Sequence, residues 1–281
     1  MSHQSDTFRK LFLAAMDKTD PTAALFLSGG VDSATNLAAA LHLGRRPTCV
    51  TFRVAGIESR DVITARAICK EFDLALIESC LPADIASVIA DTRRVLHIIA
   101  KAKKTHVQCS HPFLYMGKAM QDASLSKATW GMRAVWGISR DVAIAQAREG
   151  DQAAVALRKK HFADPDFSED SIERVLATFG VSVQNPWRDP VFADFFLNLT
   201  MKELHKPFEK AVAVEAFPEF WRHGAWRKPA DNLQIGSGLR TLHDTLLLSR
   251  VNRTGRLAVI GIYRDMLAEE STFLGQMGVL T

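Results

Sequence analysis

A short apolar run that ends at two glycines is the feature that most restricts how this chain can fold. Residues 23–27 are Ala-Ala-Leu-Phe-Leu, Gly29 and Gly30 follow, and residues 33–42 have a helical pattern. A continuous apolar run of this length is typical of a strand buried on both faces of a sheet. A strand, a sharp turn and a helix in succession predict a parallel α/β unit.

The same cycle of strand and helix repeats along the first two thirds of the chain. Strands are predicted at residues 23–27, 48–54, 75–79, 127–130 and 181–186, and helices at residues 6–18, 33–42, 59–72, 82–106, 110–123 and 142–163. This alternation indicates a parallel sheet with right-handed crossovers. The expected fold class is therefore α/β, with helices on both faces of the sheet.

The pattern changes after Pro186, where the segments become helical. Helices are predicted at residues 189–199, 200–216, 237–250 and 255–270. We place a domain boundary here, with an α/β domain at residues 1–186 and an α-helical region at residues 187–281 packed on it. A single continuous domain is equally compatible with the sequence.

The composition fits a globular protein and excludes several classes. The 281 residues are 47% hydrophobic and 23% charged, which suits one large or two small domains. The net charge of +4 is a mild excess that a solvated surface explains, although it permits a nucleic-acid partner. The four scattered cysteines contain no CxxC pair, so a zinc or iron–sulfur site is not expected. Free thiols are expected instead.

No membrane or export segment is visible in the sequence. The first residues lack a basic stretch followed by an apolar core, and no apolar run approaches the ~20 residues that span a bilayer. We therefore expect a cytoplasmic protein with no membrane partner.

The segment from residue 28 to residue 33, here called the glycine loop, has the chemistry of an anion site. Two glycines let the backbone turn and bring its N–H groups close to an anion. The helix that follows adds its positive end. The hydroxyls of Ser28 and Ser33 can donate to phosphate oxygens, and Asp32 can hold Mg²⁺ beside them. The alternative is an ordinary strand–turn–helix corner, which would need neither hydroxyls on both sides nor an acid at the helix start.

Ser-Gly-Gly-Val-Asp-Ser after an apolar strand resembles the pyrophosphate loop of the N-type ATP pyrophosphatases. The resemblance implies a five-stranded, Rossmann-like parallel sheet, with ATP and Mg²⁺ as cofactors. It also implies that ATP is cleaved to AMP and pyrophosphate, that a substrate oxygen is adenylated, and that a nucleophile then displaces AMP. The residues expected to contact the nucleotide in this loop are Leu27, Ser28, Gly29, Gly30, Val31, Asp32 and Ser33.

The resemblance extends over residues 20–140 and assigns further residues. Phe52 and Val54 lie where the family's second strand ends and frames adenine with backbone groups. Asp61 lies at the start of the next helix as a candidate substrate contact. Gly131, Arg133 and Arg140 are similar to a Gly-x-Arg…Ser-x-Arg stretch of the reductase-like branch, which implies a phosphate or anionic-substrate contact. A loop with surface arginines is the alternative.

A third stretch, around Lys206 and Lys210, resembles the post-sheet segment of asparagine synthetase-type enzymes. A lysine there stabilises the leaving pyrophosphate. The i, i+4 spacing of the two residues predicts that they share a helix face. Two solvated lysines are the alternative. His111 and Tyr115 are candidate substrate contacts, although a packed aromatic cluster is equally plausible.

Missing features narrow the chemistry. The reductases require a C-terminal cysteine, but no cysteine follows Cys109 in this chain. The cysteine sets of thiolating and nitrile-forming enzymes are also missing. We further expect no N-terminal glutaminase domain. C–N bond formation on a small-molecule substrate, with ammonia or an amine as nucleophile, is therefore the expected reaction. A homodimer and a separate nitrogen-donor protein are both compatible with it. The rivals are a nucleobase- or tRNA-modifying enzyme and a nucleotide-binding protein without catalysis.

Overall fold

A five-stranded parallel sheet forms the centre of the protein. A computed structural model describes residues 2–131, 136, 139–164, 169–222, 233–248 and 256–276. Within these ranges the strands are β1 (Ala24–Phe26), β2 (Cys49–Val54), β3 (Leu76–Leu81), β4 (Lys127–Thr129) and β5 (Ser182–Gln184). Their order across the sheet is β3-β2-β1-β4-β5, and all neighbours are parallel. The predicted α/β class is confirmed.

Helices cover both faces of the sheet. One face packs against α1 (His3–Asp17), α2 (Val31–His42), α3 (Arg60–Glu71), α9 (Pro190–Asn198), α10 (Met201–His205), α11 (Ala211–Ala216) and α12 (Pro218–Trp221). The other face packs against α4 (Ile85–Ile99), α5 (Lys104–Asp122), α8 (Glu169–Ala177), α14 (Leu239–Leu248) and α15 (Arg256–Gln276). The remaining elements are α6 (Arg140–Glu149), α7 (Asp151–Ala163), a 3-10 turn at Pro186–Arg188 and α13 (Leu233–Gly236).

The apolar run that opens the sheet is buried on both sides, as predicted. Leu25 and Leu27 belong to the core shared with α1 and α2, whereas Ala24 and Phe26 belong to the core shared with α4 and α5. Successive side chains of a strand point to opposite faces, so a strand covered on both faces needs apolar residues at every position.

A cluster of aromatic rings joins the first face of the sheet to the helices that follow it. Phe12 of α1 lies 4.8 Å from Trp187 and 4.9 Å from Phe192, between ring centroids. Trp136, from the segment after β4, lies 4.9 Å from Phe196 of α9. Aromatic side chains bury large apolar areas, so this cluster fixes Trp136 and helix α9 against the sheet.

The helices predicted at residues 82–106, 110–123, 142–163 and 200–216 were wrong in their extent. The helix predicted at residues 82–106 ends at Ala100, which is left-handed (φ 52°), and α5 then continues through Pro112 because that stretch of α5 is buried. The helix predicted at residues 142–163 breaks at Gly150 (φ 89°) into α6 and α7. Helix α8 was not predicted. Packing in the core overrides local propensity at such positions.

The elements after residue 186 divide between the two faces. Helices α9 and α11 contact α1, whereas α14 and α15 contact α4. The domain boundary at residue 186 stays a prediction.

The cysteines are free thiols, as expected. Cys49 and Cys69 are buried, but Cys80 is exposed on the edge strand β3. No helix in the described ranges combines the length and the apolar character needed to cross a membrane.

Candidate functional site

The glycine loop lies at the point where the strand order of the sheet reverses. After the central strand β1 the chain adds β2 and β3 on one side, and it adds β4 and β5 on the other. The loop follows the carboxyl end of β1, and Gly131 follows the carboxyl end of the neighbouring β4. In open α/β sheets, ligands bind outside the carboxyl ends of the strands at this crevice.

The two glycines of the loop have different roles. Gly29 is left-handed (φ 69°), and a Cβ there would lie 2.3 Å from Cγ2 and 2.6 Å from Cβ of Thr64 on α3. Gly30 has an ordinary extended conformation and caps the N-terminus of α2 (φ −72°, ψ 158°). Only Gly29 therefore requires the absence of a side chain for both conformation and space.

The serine hydroxyls close the loop on itself. Ser33 Oγ accepts from the backbone N–H of Ser28 at 3.2 Å and donates to the carbonyl of Gly30 at 3.1 Å, and it lies 3.2 Å from Ser28 Oγ. The cap residue of α2 has no side chain, and the first N–H groups of a helix have no partner within the helix. The loop is thus a tight turn that ends in the positive end of a helix, which is an anion-binding geometry.

Gly131 lets the end of β4 approach the loop. A Cβ on Gly131 would lie 2.9 Å from the backbone carbon of Asp32 and 2.9 Å from the backbone nitrogen of Ser33. The residue predicted as a phosphate contact therefore packs against the backbone of the glycine loop.

Replacing Gly29 with alanine is expected to lower the free energy of unfolding by about 2–5 kcal/mol. Left-handed strain of ~1–2 kcal/mol adds to the ~1–3 kcal/mol of forcing a methyl group against Thr64. Gly44→Ala is the matched control, because Gly44 is also left-handed (φ 73°) but has no atom within 4 Å of its added Cβ. Urea denaturation measures both variants, and equal losses would show that the contact with Thr64 is not tight.

Lys210 brings a buried positive charge to the loop. Its Nζ lies 2.6 Å from Oδ1 of Asp32, and the side chains are only 6% and 14% exposed, respectively. The ammonium group also lies 5.1 Å from the centre of the Trp136 ring. The structure therefore brings together Asp32 and Lys210, two predicted site residues that are far apart in the sequence.

His205 and Trp136 complete the surroundings of Lys210, and neither was predicted. The backbone N–H of Lys210 lies 3.1 Å from His205 Nδ1, and His205 Nε2 lies 3.0 Å from the carbonyl oxygen of Trp136. Burial lowers the pKa of His205, and the positive charges of Arg158 and Lys210 lower it further. The hydrogen bond of the imidazole to the carbonyl oxygen of Trp136 acts in the opposite direction and raises the pKa. The proximity of His205 to Lys210 in the sequence was the signal that could have identified it.

The prediction that Lys206 and Lys210 share a helix face was wrong. Helix α10 ends at His205, Lys206 is exposed beyond it, and Lys210 is a left-handed residue (φ 61°) that precedes α11. Pro207 has no N–H group and disfavours a helical conformation at the residue before it, which ends the helix. A catalytic role for Lys206 stays a prediction.

Of the other predicted contacts, Asp61 and Arg140 lie at the starts of helices, and a third lies outside the described residues. Asp61 is buried at the start of α3, where a Cβ on Gly236 would lie 2.8 Å from its Oδ1. Arg140 is exposed at the start of α6, and Arg133 lies outside the described residues.

Strand β2 extends beyond the end of β1 beside the glycine loop. The last paired position of β1 is Phe26, opposite Val50, and β2 continues to Val54. The side chains of Phe52 and Val54 point into the core shared with α4 and α5. Only the backbone of these two residues can therefore face a nucleotide, which is the contact that was predicted.

His111 and Tyr115 belong to a buried hydrogen-bonded chain between helices. Tyr115 Oη donates to Oδ2 of Asp91 at 2.6 Å, and His111 Nε2 lies 3.0 Å from the same oxygen. His111 Nδ1 lies 2.9 Å from Nε2 of His243, whose Nδ1 lies 2.7 Å from Tyr263 Oη. Burial lowers the pKa of His243 well below its ordinary value, which favours its neutral form. These residues join α14 and α15 to α4 and α5, and their contact with a substrate stays a prediction.

The predicted magnesium ligand, Asp32, fits an ion that arrives with a nucleotide. Among the described residues, no cluster of three or more His, Cys, Asp or Glu side chains could hold a metal ion. Magnesium in nucleotide sites is held by one or two carboxylates together with phosphate oxygens and water. A single carboxylate beside an anion-binding turn is compatible with that arrangement.

Comparison with known proteins does not identify the chain. No family model and no curated protein matches it. Among solved structures, NMN synthetase from Francisella tularensis is similar with a TM-score of 0.33 and 13% sequence identity, over 82% of this chain and 96% of that chain. A similarity at this level supports no conclusion about activity. The function is therefore inferred from the site.

Proposed function

We propose that this protein is an enzyme that binds Mg-ATP at the glycine loop and transfers AMP to a substrate oxygen, releasing pyrophosphate. A nitrogen nucleophile then displaces AMP and leaves a new C–N bond, as in asparagine synthetase-type chemistry. The substrate is a small molecule, and the nitrogen comes from ammonia, an amine or a separate donor protein.

The observation that carries the proposal is the buried ammonium group of Lys210 beside the glycine loop. The loop presents the positive end of α2, and Lys210 lies 2.6 Å from Asp32 in that helix's first turn. Burying a lysine is unfavourable unless it is paired. A paired lysine kept next to an anion-binding turn, at the crevice of the sheet, suits a ligand with several negative charges.

The residues have separate roles in this reaction. Backbone N–H groups at the start of α2 would hold the departing phosphates, and Lys210 would stabilise the negative charge that develops as pyrophosphate leaves. The backbone of β2 beyond Val50 would contact adenine. Mg²⁺ held by Asp32 would neutralise charge on the phosphate oxygens.

The rival that acts on nucleic acid receives little support from the surface. The sequence features that favour this rival are the three lysines at positions 101, 103 and 104 and the mild positive charge. However, Lys104 is buried and paired with Asp244 at 2.6 Å, and Lys101 lies 3.8 Å from Asp170. Nucleic-acid binding would fall steeply with salt concentration, so filter binding to tRNA at two salt concentrations tests this rival.

Two measurements test the proposed function. Calorimetry with ATP and Mg²⁺ measures nucleotide binding, and release of pyrophosphate is measured with a panel of carboxylic acids plus ammonia or amines. The proposal expects binding, and pyrophosphate release that depends on one acid. Binding without release across a broad panel would favour a nucleotide-binding protein, and no binding would refute the assignment of the loop.

Asp32→Ala is expected to abolish pyrophosphate release and to leave the fold intact. The variant removes the carboxylate that pairs with Lys210 and that would hold the magnesium ion. Asp6→Ala is the control, since Asp6 is an exposed acid in the first turn of another helix, α1. Circular dichroism checks the fold, and Asp32→Asn keeps the shape of the side chain if alanine is not tolerated. Unchanged pyrophosphate release in both Asp32 variants would contradict the role.

A further inference from the structure

We infer that His205 is a positioning residue, which as a neutral imidazole holds Lys210 at the glycine loop. The inference rests on the proposed function for the effect on catalysis. The placement of Lys210 itself can be tested without any enzymatic activity.

The backbone at Lys210 needs an external partner. Lys210 is a non-glycine residue with a left-handed backbone conformation (φ 61°), and this conformation costs roughly 1–2 kcal/mol. It precedes α11 without a capping hydrogen bond from its own side chain. Its N–H group lies 3.1 Å from His205 Nδ1, so the imidazole is the acceptor at this turn.

The other nitrogen of the same ring holds Trp136, the residue whose ring lies beside the ammonium group of Lys210. His205 Nε2 donates to the carbonyl oxygen of Trp136 at 3.0 Å. The indole ring of Trp136 in turn lies 5.1 Å from Lys210 Nζ, within the range of a cation–π contact. The imidazole of His205 therefore joins the turn that carries Lys210 to Trp136, whose ring lies beside the ammonium group.

This arrangement requires the neutral ring with its hydrogen on Nε2. A protonated ring would carry a hydrogen on both nitrogens and would turn the Nδ1 hydrogen toward the N–H of Lys210. The charged groups around His205 are Arg158 from α7 and Lys210 itself, both positive. Glu203, on its own helix, accepts from Thr200 and Gln4, and Asp32 is paired with Lys210.

The direction of the pH effect follows from these surroundings. Burial, together with the two positive charges, lowers the pKa of His205 in the folded protein. Because the folded state resists protonation, proton binding stabilises the unfolded state relative to the folded state as pH falls below the ordinary histidine pKa of about 6.5. The contribution of His205 is therefore present at neutral pH and is lost on the acid side.

Two amide substitutions separate the two nitrogens. Asparagine places an acceptor near the position of Nδ1 and can still accept from Lys210, whereas glutamine reaches toward the position of Nε2 and leaves Lys210 without its acceptor. The control is His42→Asn, because His42 is a half-exposed histidine at the end of α2.

The direct test is chemical labelling of Lys210. Each protein is treated with formaldehyde and a borohydride at pH 7.5, and methylation of Lys210 is quantified by peptide mass spectrometry. We expect protection of Lys210 in the wild type, in His205→Asn and in the control, and at least about tenfold faster methylation in His205→Gln. Equal protection in the two His205 variants would overturn the inference, whether or not the protein cleaves ATP.

Catalysis provides the second readout. We expect the rate of pyrophosphate release at saturating ATP to fall at least about tenfold in His205→Gln, with little change in the KM for ATP. In His205→Asn we expect a rate close to that of the wild type at neutral pH. We also expect this variant to lack the fall in rate at acid pH that protonation of His205 causes in the wild type. An acid limb that persists in His205→Asn would contradict the titration of this ring. A wild type that neither binds nor cleaves ATP would refute the proposed function, and labelling would still decide the role of His205.

Discussion

Lys210→Met is expected to slow pyrophosphate release by about 100-fold or more at saturating ATP. The substitution removes the ammonium group that lies 2.6 Å from Asp32 and keeps a side chain of similar length. Removing one preorganised donor to a developing negative charge typically costs about 10²–10³ in rate. Because the charge develops as the bond to pyrophosphate breaks, the loss should appear in kcat more than in the KM for ATP.

Lys202→Met is the matched control for this prediction. Lys202 is exposed on α10, eight residues before Lys210, and we expect its variant to keep the wild-type rate. A wild-type rate in Lys210→Met would remove the basis of the proposed mechanism.

The fold was predictable because its signals are local. The apolar run at residues 23–27 and the later strand segments each fall on an observed strand. A parallel sheet buried on both faces requires such continuous runs. The errors occurred where tertiary contacts decide the outcome. Pro112 suggested a helix start, yet α5 passes through it because the surrounding positions are buried in the core.

The site was predictable only in its local half. The glycine loop can be identified from consecutive residues, whereas its partner Lys210 is 178 residues away in the sequence. Lys210 was predicted through a resemblance, and with the wrong geometry. Trp136 was missed because an indole beside an ammonium group leaves no pattern in the sequence. His205 was missed although its proximity to Lys210 in the sequence was a signal. Only the folded chain brings them together.

The position of Lys210 therefore depends on how α9, α10 and α11 pack against the sheet. Arg158 of α7 holds the end of α9 from inside the core. Its guanidinium group donates to the carbonyl oxygens of Leu199 at 2.6 Å, of Phe196 at 3.0 Å and of Leu197 at 3.4 Å. Those carbonyls belong to the C-terminal end of α9, where a helix leaves its last acceptors without partners. The side chain is fully buried, and burial lowers its pKa to about 10.

Arg158→Met is expected to lower the free energy of unfolding by about 3 kcal/mol or more, a loss at least as large as that of Gly29→Ala. The methionine fills the apolar space but donates nothing, so carbonyl groups that are buried at the end of α9 lose their donor at roughly 1–3 kcal/mol each. Arg158→Lys keeps the charge but lacks the planar fork that reaches three carbonyls, and an intermediate loss is expected. Arg148→Met, at an exposed arginine of α6, should change stability by no more than about 0.5 kcal/mol.

Urea denaturation measures these losses, and thermal unfolding should show a matching fall of about 6–12 °C in Tm for Arg158→Met, at about 2–4 °C per kcal/mol for proteins near this size. Because α9 leads directly to α10 and to His205, partial loosening should also increase the methylation of Lys210 in Arg158→Met. A stability equal to that of Arg148→Met would mean that the three carbonyls find other donors. In that case the end of α9 would not be what holds Lys210 in place, and the support of the site would have to come from the aromatic cluster around Trp136.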